Sequence, residues 1–189
     1  LLLLWNADGK DPDDAARTLR ELHPDMTQKM ANGHAWALGK EMLENAIATK
    51  TTFAFETTLG GTTITGLLLQ ASEAGLKVKI WYVGLQSVEM NLSRVKERVA
   101  RGGHDIPEEA IRRRWDDSRR NLITLLPKLS SLRLFDNSFD ADPHKGKCPQ
   151  PRLILSVEDR RITAPADLSE APEWARPIVE EALRMFPRS

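Results

Sequence analysis

KVKIWYVGL, Lys77 to Leu85, is dense in β-branched and aromatic side chains and is flanked by segments of a different period. A short apolar run of that kind predicts a buried strand rather than a helix. Just upstream, Ile64, Leu67, Leu68 and Ala71 fall at i, i+3, i+4 and i+7, the inner face of an amphipathic helix that Gly75 stops. Just downstream, Val88, Leu92, Val95 and Val99 repeat that face behind Ser87, a side chain suited to N-capping.

Further out the alternation continues. Leu1–Trp5 predicts a short strand ending in Asn6-Ala7-Asp8, Thr51–Phe55 another ending in Glu56, and Leu132–Phe135 a third ending in Asp136-Asn137-Ser138. Arg152–Ile162 predicts a last strand or hairpin, with a helix closing the chain before about residue 186. Asp13–Leu22 is a short helical segment, and Met26–Ala48 a longer one with Met30, Ala37, Leu38, Met42 and Ile47 as its core positions. Ile111, Trp115, Leu122, Leu125 and Leu129 carry the helical pattern past Gly102-Gly103-His104, and Phe139–Pro151 is a surface loop. Strands and helices alternating at these lengths predict an α/β layer fold with a mostly parallel sheet. At 189 residues the chain holds one core, so a single domain over 1–189 is expected.

The 27 basic and 27 acidic side chains cancel to a formal net charge of +0, which argues against a general nucleic-acid or membrane-surface binder. Any anion recognition must be local. Cys148 is the single cysteine, so no intramolecular disulfide forms, and no Cys/His cluster has zinc-ligand spacing. Both facts suit a reducing compartment, and the expected location is the cytoplasm. The opening LLLLW is too short for a signal h-region or a membrane span.

In an open parallel sheet, ligands bind beyond the carboxyl ends of the strands. Three predicted strands end in chemically capable side chains: Asp8 with Asn6, Glu56 with Thr57 and Thr58, and Asp136 with Asn137. Those endings predict one common cleft, although Thr57 or Thr58 as a helix cap and Asp136-Asn137 as a turn would explain them too. Arg94, Arg98 and Arg101 share one helix face at i, i+4 and i+7. Gly102-Gly103 then break the helix, and Asp105-x-x-Glu108 has the form of a capping box, with Pro107 in the first turn of the next helix. Two helices joined by such a hinge can form a mobile lid. Arginine suits phosphate because its planar fork donates two parallel hydrogen bonds. A solvated face laced by pairs such as Glu97–Arg101 is the plainer reading of the same residues.

NAD after a strand, then FAFETT, RVKERVARGGHDIPEEAIRRRW and LFDNS, in that order, resemble the zeta-toxin-like branch of P-loop kinases from about Trp5 to about Ile162. The resemblance implies a three-layer, nucleotide-kinase-like sheet with helices on both faces. It implies a phosphotransferase that uses ATP and Mg2+ to phosphorylate a hydroxyl of UDP-N-acetylglucosamine, and an antitoxin protein as a possible partner. By position, Asp8 matches the general base, Glu56 and Thr58 the substrate-binding residues, and Arg94 and Arg101 the arginines that hold the phosphates. Arg98, His104, Arg112 and Arg119 are further candidates for the lid, and Asp136 and Asn137 for the nucleotide side. A carboxylate base with convergent arginines is a sensible inventory for phosphoryl transfer.

The phosphate cradle G-x-x-x-x-G-K-[ST] is not in the sequence: Gly9-Lys10, Gly39-Lys40 and Gly146-Lys147 are each followed by another residue type. In the family this motif lies upstream of NAD, so the resemblance implies a domain lacking its first P-loop strand, with little kinase activity of its own. The alternative is a non-catalytic anion- or nucleotide-binding module derived from such a kinase.

Overall fold

The computed structural model describes residues 21, 25–103, 105–139, 150–165 and 167–188. The expected strand Leu1–Trp5, the expected helix Asp13–Leu22 and most of the expected loop Phe139–Pro151 lie outside the described residues.

The described elements are α1 (Gln28–Thr49), α2 (Thr62–Glu73), β1 (Lys79–Gly84), α3 (Val88–Ala100), α4 (Glu108–Leu125), β2 (Ser131–Asp136), β3 (Arg152–Glu158), β4 (Arg161–Ala164) and α5 (Arg176–Met185). The sheet order is β1-β2-β3-β4. Lys79 pairs with Ser131 and Gly84 with Asp136 in parallel, joined by the α3–α4 crossover. β3 then runs antiparallel to β2, and the Asp159-Arg160 turn brings β4 back antiparallel to β3. The fold is mixed α/β. The expected mostly parallel sheet is corrected: among the described residues one of its three pairings is parallel. A tight turn suffices for the β3–β4 hairpin, whereas a parallel step needs a long crossover, which α3–α4 supplies between β1 and β2.

Thr51–Phe55 also differs from expectation. It is extended, with Phe53 and Phe55 stacked at 5.8 Å, but forms no strand of this sheet among the described residues. β-rich composition specifies a pleated, half-buried segment; the ladder itself requires a neighbour.

Ile80, Tyr82, Leu132 and Leu134 point to the buried face of the sheet, where Leu122, Leu125, Trp174, Ile178 and Val179 complete the core. Leu67, Leu68 and Ala71 of α2 are buried as their spacing predicts, and Gly75 ends the segment at φ +86°. The other face of β1 and β2 carries Trp81, 47% exposed, with the Arg133 guanidinium 5.5 Å from its ring.

The inner face of α1 is not the expected one. Ala31, Ala35, Leu43 and Ala46 are buried, while Met30, Leu38 and Met42 are exposed, Ala37 is exposed and Ile47 packs at the core's margin. Apolar residues are spread around this helix, so periodicity picks no face, and close approach selects the alanines.

Candidate functional site

The carboxyl ends of β1 and β2 meet at Gly84 and Asp136, and the Asn137 N–H donates to the Gly84 carbonyl at 2.9 Å. α3 follows directly. Ser87 caps it by accepting from the Met90 N–H at 3.1 Å, as its position predicts. Arg94 then lies where its Nη2 donates to the Asn137 carbonyl at 2.9 Å. The structure thus brings together three candidates from distant parts of the sequence: Arg94, Asp136 and Asn137.

Asp136 is 3% exposed. Its Oδ1 accepts from the Ser138 N–H at 3.2 Å, from the Ser138 hydroxyl, and from Trp174 Nε1 at 3.4 Å. Its Oδ2 lies 3.8 Å from Arg152 Nη2. The carboxylate is therefore engaged in shaping the turn after β2. Trp174 and Arg152, neither singled out by the sequence, complete this end of the sheet. Gly84 belongs to it as well: a Cβ there would stand 2.3 Å from the Trp174 ring.

A second group lies before α2. Glu56 is half-buried, and Thr57 Oγ1 accepts from the Leu59 N–H at 3.1 Å, so Thr57 forms a local turn rather than the helix cap; Thr58 is exposed. The cap of α2 is Gly61, with no side-chain hydrogen bond. Leu59 is 1% exposed and sits at φ +51°, a left-handed conformation that costs a bulky side chain about 1–3 kcal/mol. α4 holds this loop. Asn121 Nδ2 donates to the Leu59 carbonyl at 2.8 Å and the Gly61 carbonyl at 3.3 Å, and Gly60 lies so close that a Cβ would be 2.7 Å from Arg114 Cγ.

The remaining arginines divide. Arg101 is the C-cap of α3 and is exposed, as is Arg98. Arg112 is committed elsewhere: it pairs with Glu108 at 2.7 Å and with Glu89 of α3 at 3.0 Å. Its hydrogen bond holds the Glu89 carboxyl below the usual range, and Glu108 first, then Glu89, raise the guanidinium's own pKa. Arg119 is bound to Asp116 at 2.5 Å and stacks 4.9 Å from the Trp115 ring. Spacing along a helix brings acids within reach as readily as ligands, and both guanidiniums stand in ion pairs of this kind.

The Gly102-Gly103 break closes α3 with two bonds, Gly102 N–H to the Val99 carbonyl at 2.9 Å and Gly103 N–H to the Arg98 carbonyl at 3.0 Å. With Gly102 at φ +92°, this is a Schellman cap. The expected capping box is corrected: Asp105 Oδ1 accepts from its neighbour Ile106 instead, and α4 starts at Glu108 behind Pro107. A residue before proline is steered away from the α region, so Ile106 stays outside the helix. Asn6, Asp8 and His104 lie outside the described residues.

A cavity of about 480 Å³ opens between the end of α1, residues 51–55, α2 and the chain entering β1, lined by Phe53, Phe55, Leu68 and Val78. None of the candidate residues lines it; it lies at the amino end of β1 rather than over the carboxyl ends. Among the described residues no group of three or more His, Cys, Asp or Glu side chains is placed to hold a metal, and no helix is long and apolar enough to cross a membrane.

No protein-family model matches the chain, and no solved structure does. Over 63 residues it is 41% identical to an uncharacterized protein of Haemophilus influenzae (strain ATCC 51907 / DSM 11121 / KW20 / Rd), a match that covers 33% of this chain and 45% of that protein.

Proposed function

We propose that this chain is a phosphotransferase of the zeta-toxin type, which transfers the γ-phosphoryl group of ATP to a hydroxyl of a sugar nucleotide such as UDP-N-acetylglucosamine. The observation that carries the reading is Arg94: its guanidinium reaches the turn after β2, at the end of a parallel strand pair where ligands of such sheets bind. One of its donors is used on the Asn137 carbonyl, and a guanidinium has five. Arg94 therefore has donors left for an anionic phosphate, and Arg101, exposed at the end of the same helix, is the second arginine of the reading.

In this reading the acceptor lies against the Glu56–Thr58 loop, where Glu56 and Thr58 bind its hydroxyls. The Asp8 carboxylate takes the proton of the attacking hydroxyl as its oxygen bonds to the γ-phosphorus and the bond to ADP breaks. Arg94 and Arg101 offset the charge that spreads over the transferring group.

The test is phosphorus NMR of ATP with UDP-N-acetylglucosamine, using the chain alone and the chain joined behind a G-x-x-x-x-G-K-[ST] segment. Loss of a single preorganised donor costs about 10²–10³-fold in rate, so the chain alone is expected to be nearly inactive and the extended protein active. Asp8→Asn in the extended protein should abolish transfer and leave nucleotide binding intact. Sugar-nucleotide binding without transfer in either protein would instead favour the non-catalytic module. Neither binding nor transfer would overturn both readings.

A further inference from the structure

The loop before α2 holds a backbone conformation that its own sequence does not favour. Leu59 is neither glycine nor asparagine, yet it is left-handed at φ +51° with its side chain 1% exposed. Such a conformation persists only where the surroundings over-determine it, and residues of this kind cluster at ligand clamps. Here the restraints come from two directions. Thr57 Oγ1 takes the Leu59 N–H from within the loop, and Asn121 Nδ2, 62 residues further on, takes the carbonyls of Leu59 and Gly61. The Arg114 stem fills the space that any side chain at Gly60 would need. Arg114 and Asn121 both belong to α4, from which Arg112 also pairs with Glu89 of α3.

We infer that Asn121 is the positioning residue of the acceptor loop. Its amide holds Leu59 left-handed and so sets the direction in which Glu56, Thr57 and Thr58 are presented, an inference that rests on the acceptor role proposed above for that loop. Asn121 touches no reacting atom. Its two bonds go to backbone carbonyls, which makes its effect independent of the loop's side chains.

The experiment compares wild-type protein with Asn121→Ala and Asn121→Asp by amide exchange over residues 57–61, by thermal midpoint and by calorimetric titration with UDP-N-acetylglucosamine. Asp keeps the shape of Asn but removes both donors and turns a carboxylate on two carbonyls. If donation is what matters, Asp should be at least as damaging as Ala. Both variants should speed exchange at Leu59 while the amides of α4 stay protected, and should weaken sugar-nucleotide affinity about tenfold. A role in packing alone would spare Asp and leave affinity unchanged, which would overturn the inference, as would unchanged exchange at Leu59. Wild-type protein that binds no sugar nucleotide would overturn the acceptor reading itself; the exchange data would then report whether Asn121 holds the loop, so the two failures are separable.

Discussion

Trp174 donates its indole N–H to Asp136 across 3.4 Å while its six-membered ring occupies the space beside Gly84. One side chain thereby closes the carboxyl ends of both parallel strands. Asp136→Ala leaves the buried indole N–H without an acceptor, and a loss of about 1–3 kcal/mol in urea unfolding is expected. Gly84→Ala forces a methyl group into the ring and should cost about 1–3 kcal/mol through overpacking. A Gly84→Ala protein as stable as wild type would show that the ring is free to move aside.

Tyr82 is buried, its hydroxyl paired with Ser118 at 2.8 Å, and burial raises its pKa above the ordinary 10.0. Raised in the folded state, it contributes stability that is complete below pH 10 and is lost as pH climbs through the folded value. Because the chain has a single tyrosine, tyrosinate absorbance reports this group alone. The titration midpoint should lie above 10 in native protein and near 10 in denaturant. Tyr82→Phe should remove the tyrosine part of the alkaline loss in thermal midpoint.

Gly102 at φ +92° is the residue that ends α3. Gly102→Ala should cost about 1–2 kcal/mol, the usual penalty of a left-handed L-residue. The N–H groups of Gly102 and Gly103 are hydrogen-bonded to α3 carbonyls, so their exchange should already be slowed without ligand. Fast exchange there that slows on adding a sugar nucleotide would instead identify the segment as a closing lid.

The buried face of α1 predicts unequal leucines. Leu43 is 5% exposed and Leu38 is 50% exposed. Leu43→Ala should destabilise by about 2–5 kcal/mol and Leu38→Ala by less than about 0.5 kcal/mol, measured by chemical denaturation.

KVKIWYVGL and Leu132–Phe135 declared themselves as strands because each is a short apolar run set between clear helical faces. The inner face of α2, that of α4 as far as Leu125 (Leu129 lies in extended chain beyond the helix), the Ser87 cap and the stop at Gly75 were legible because each depends on residues within a few positions of one another. Pairing is different. Whether β3 joins β2 parallel or antiparallel depends on how the connection between them runs, and whether residues 51–55 join a sheet depends on a neighbour elsewhere in the chain. Arg94 and Asn137 were both candidates, but the bond between them spans 43 residues and exists only once the crossover is folded. Asn121 and Trp174 gave no signal, since an amide or an indole becomes a clamp only through what packing places beside it. The face of α2, the Ser87 cap and the stop at Gly75 were therefore determined by sequence, whereas the Asp105 capping box was not. Tertiary structure decided the sheet's direction, the buried side of α1 and the commitment of Arg112 and Arg119 to ion pairs, because each is a competition between partners that are distant or equally near along the chain.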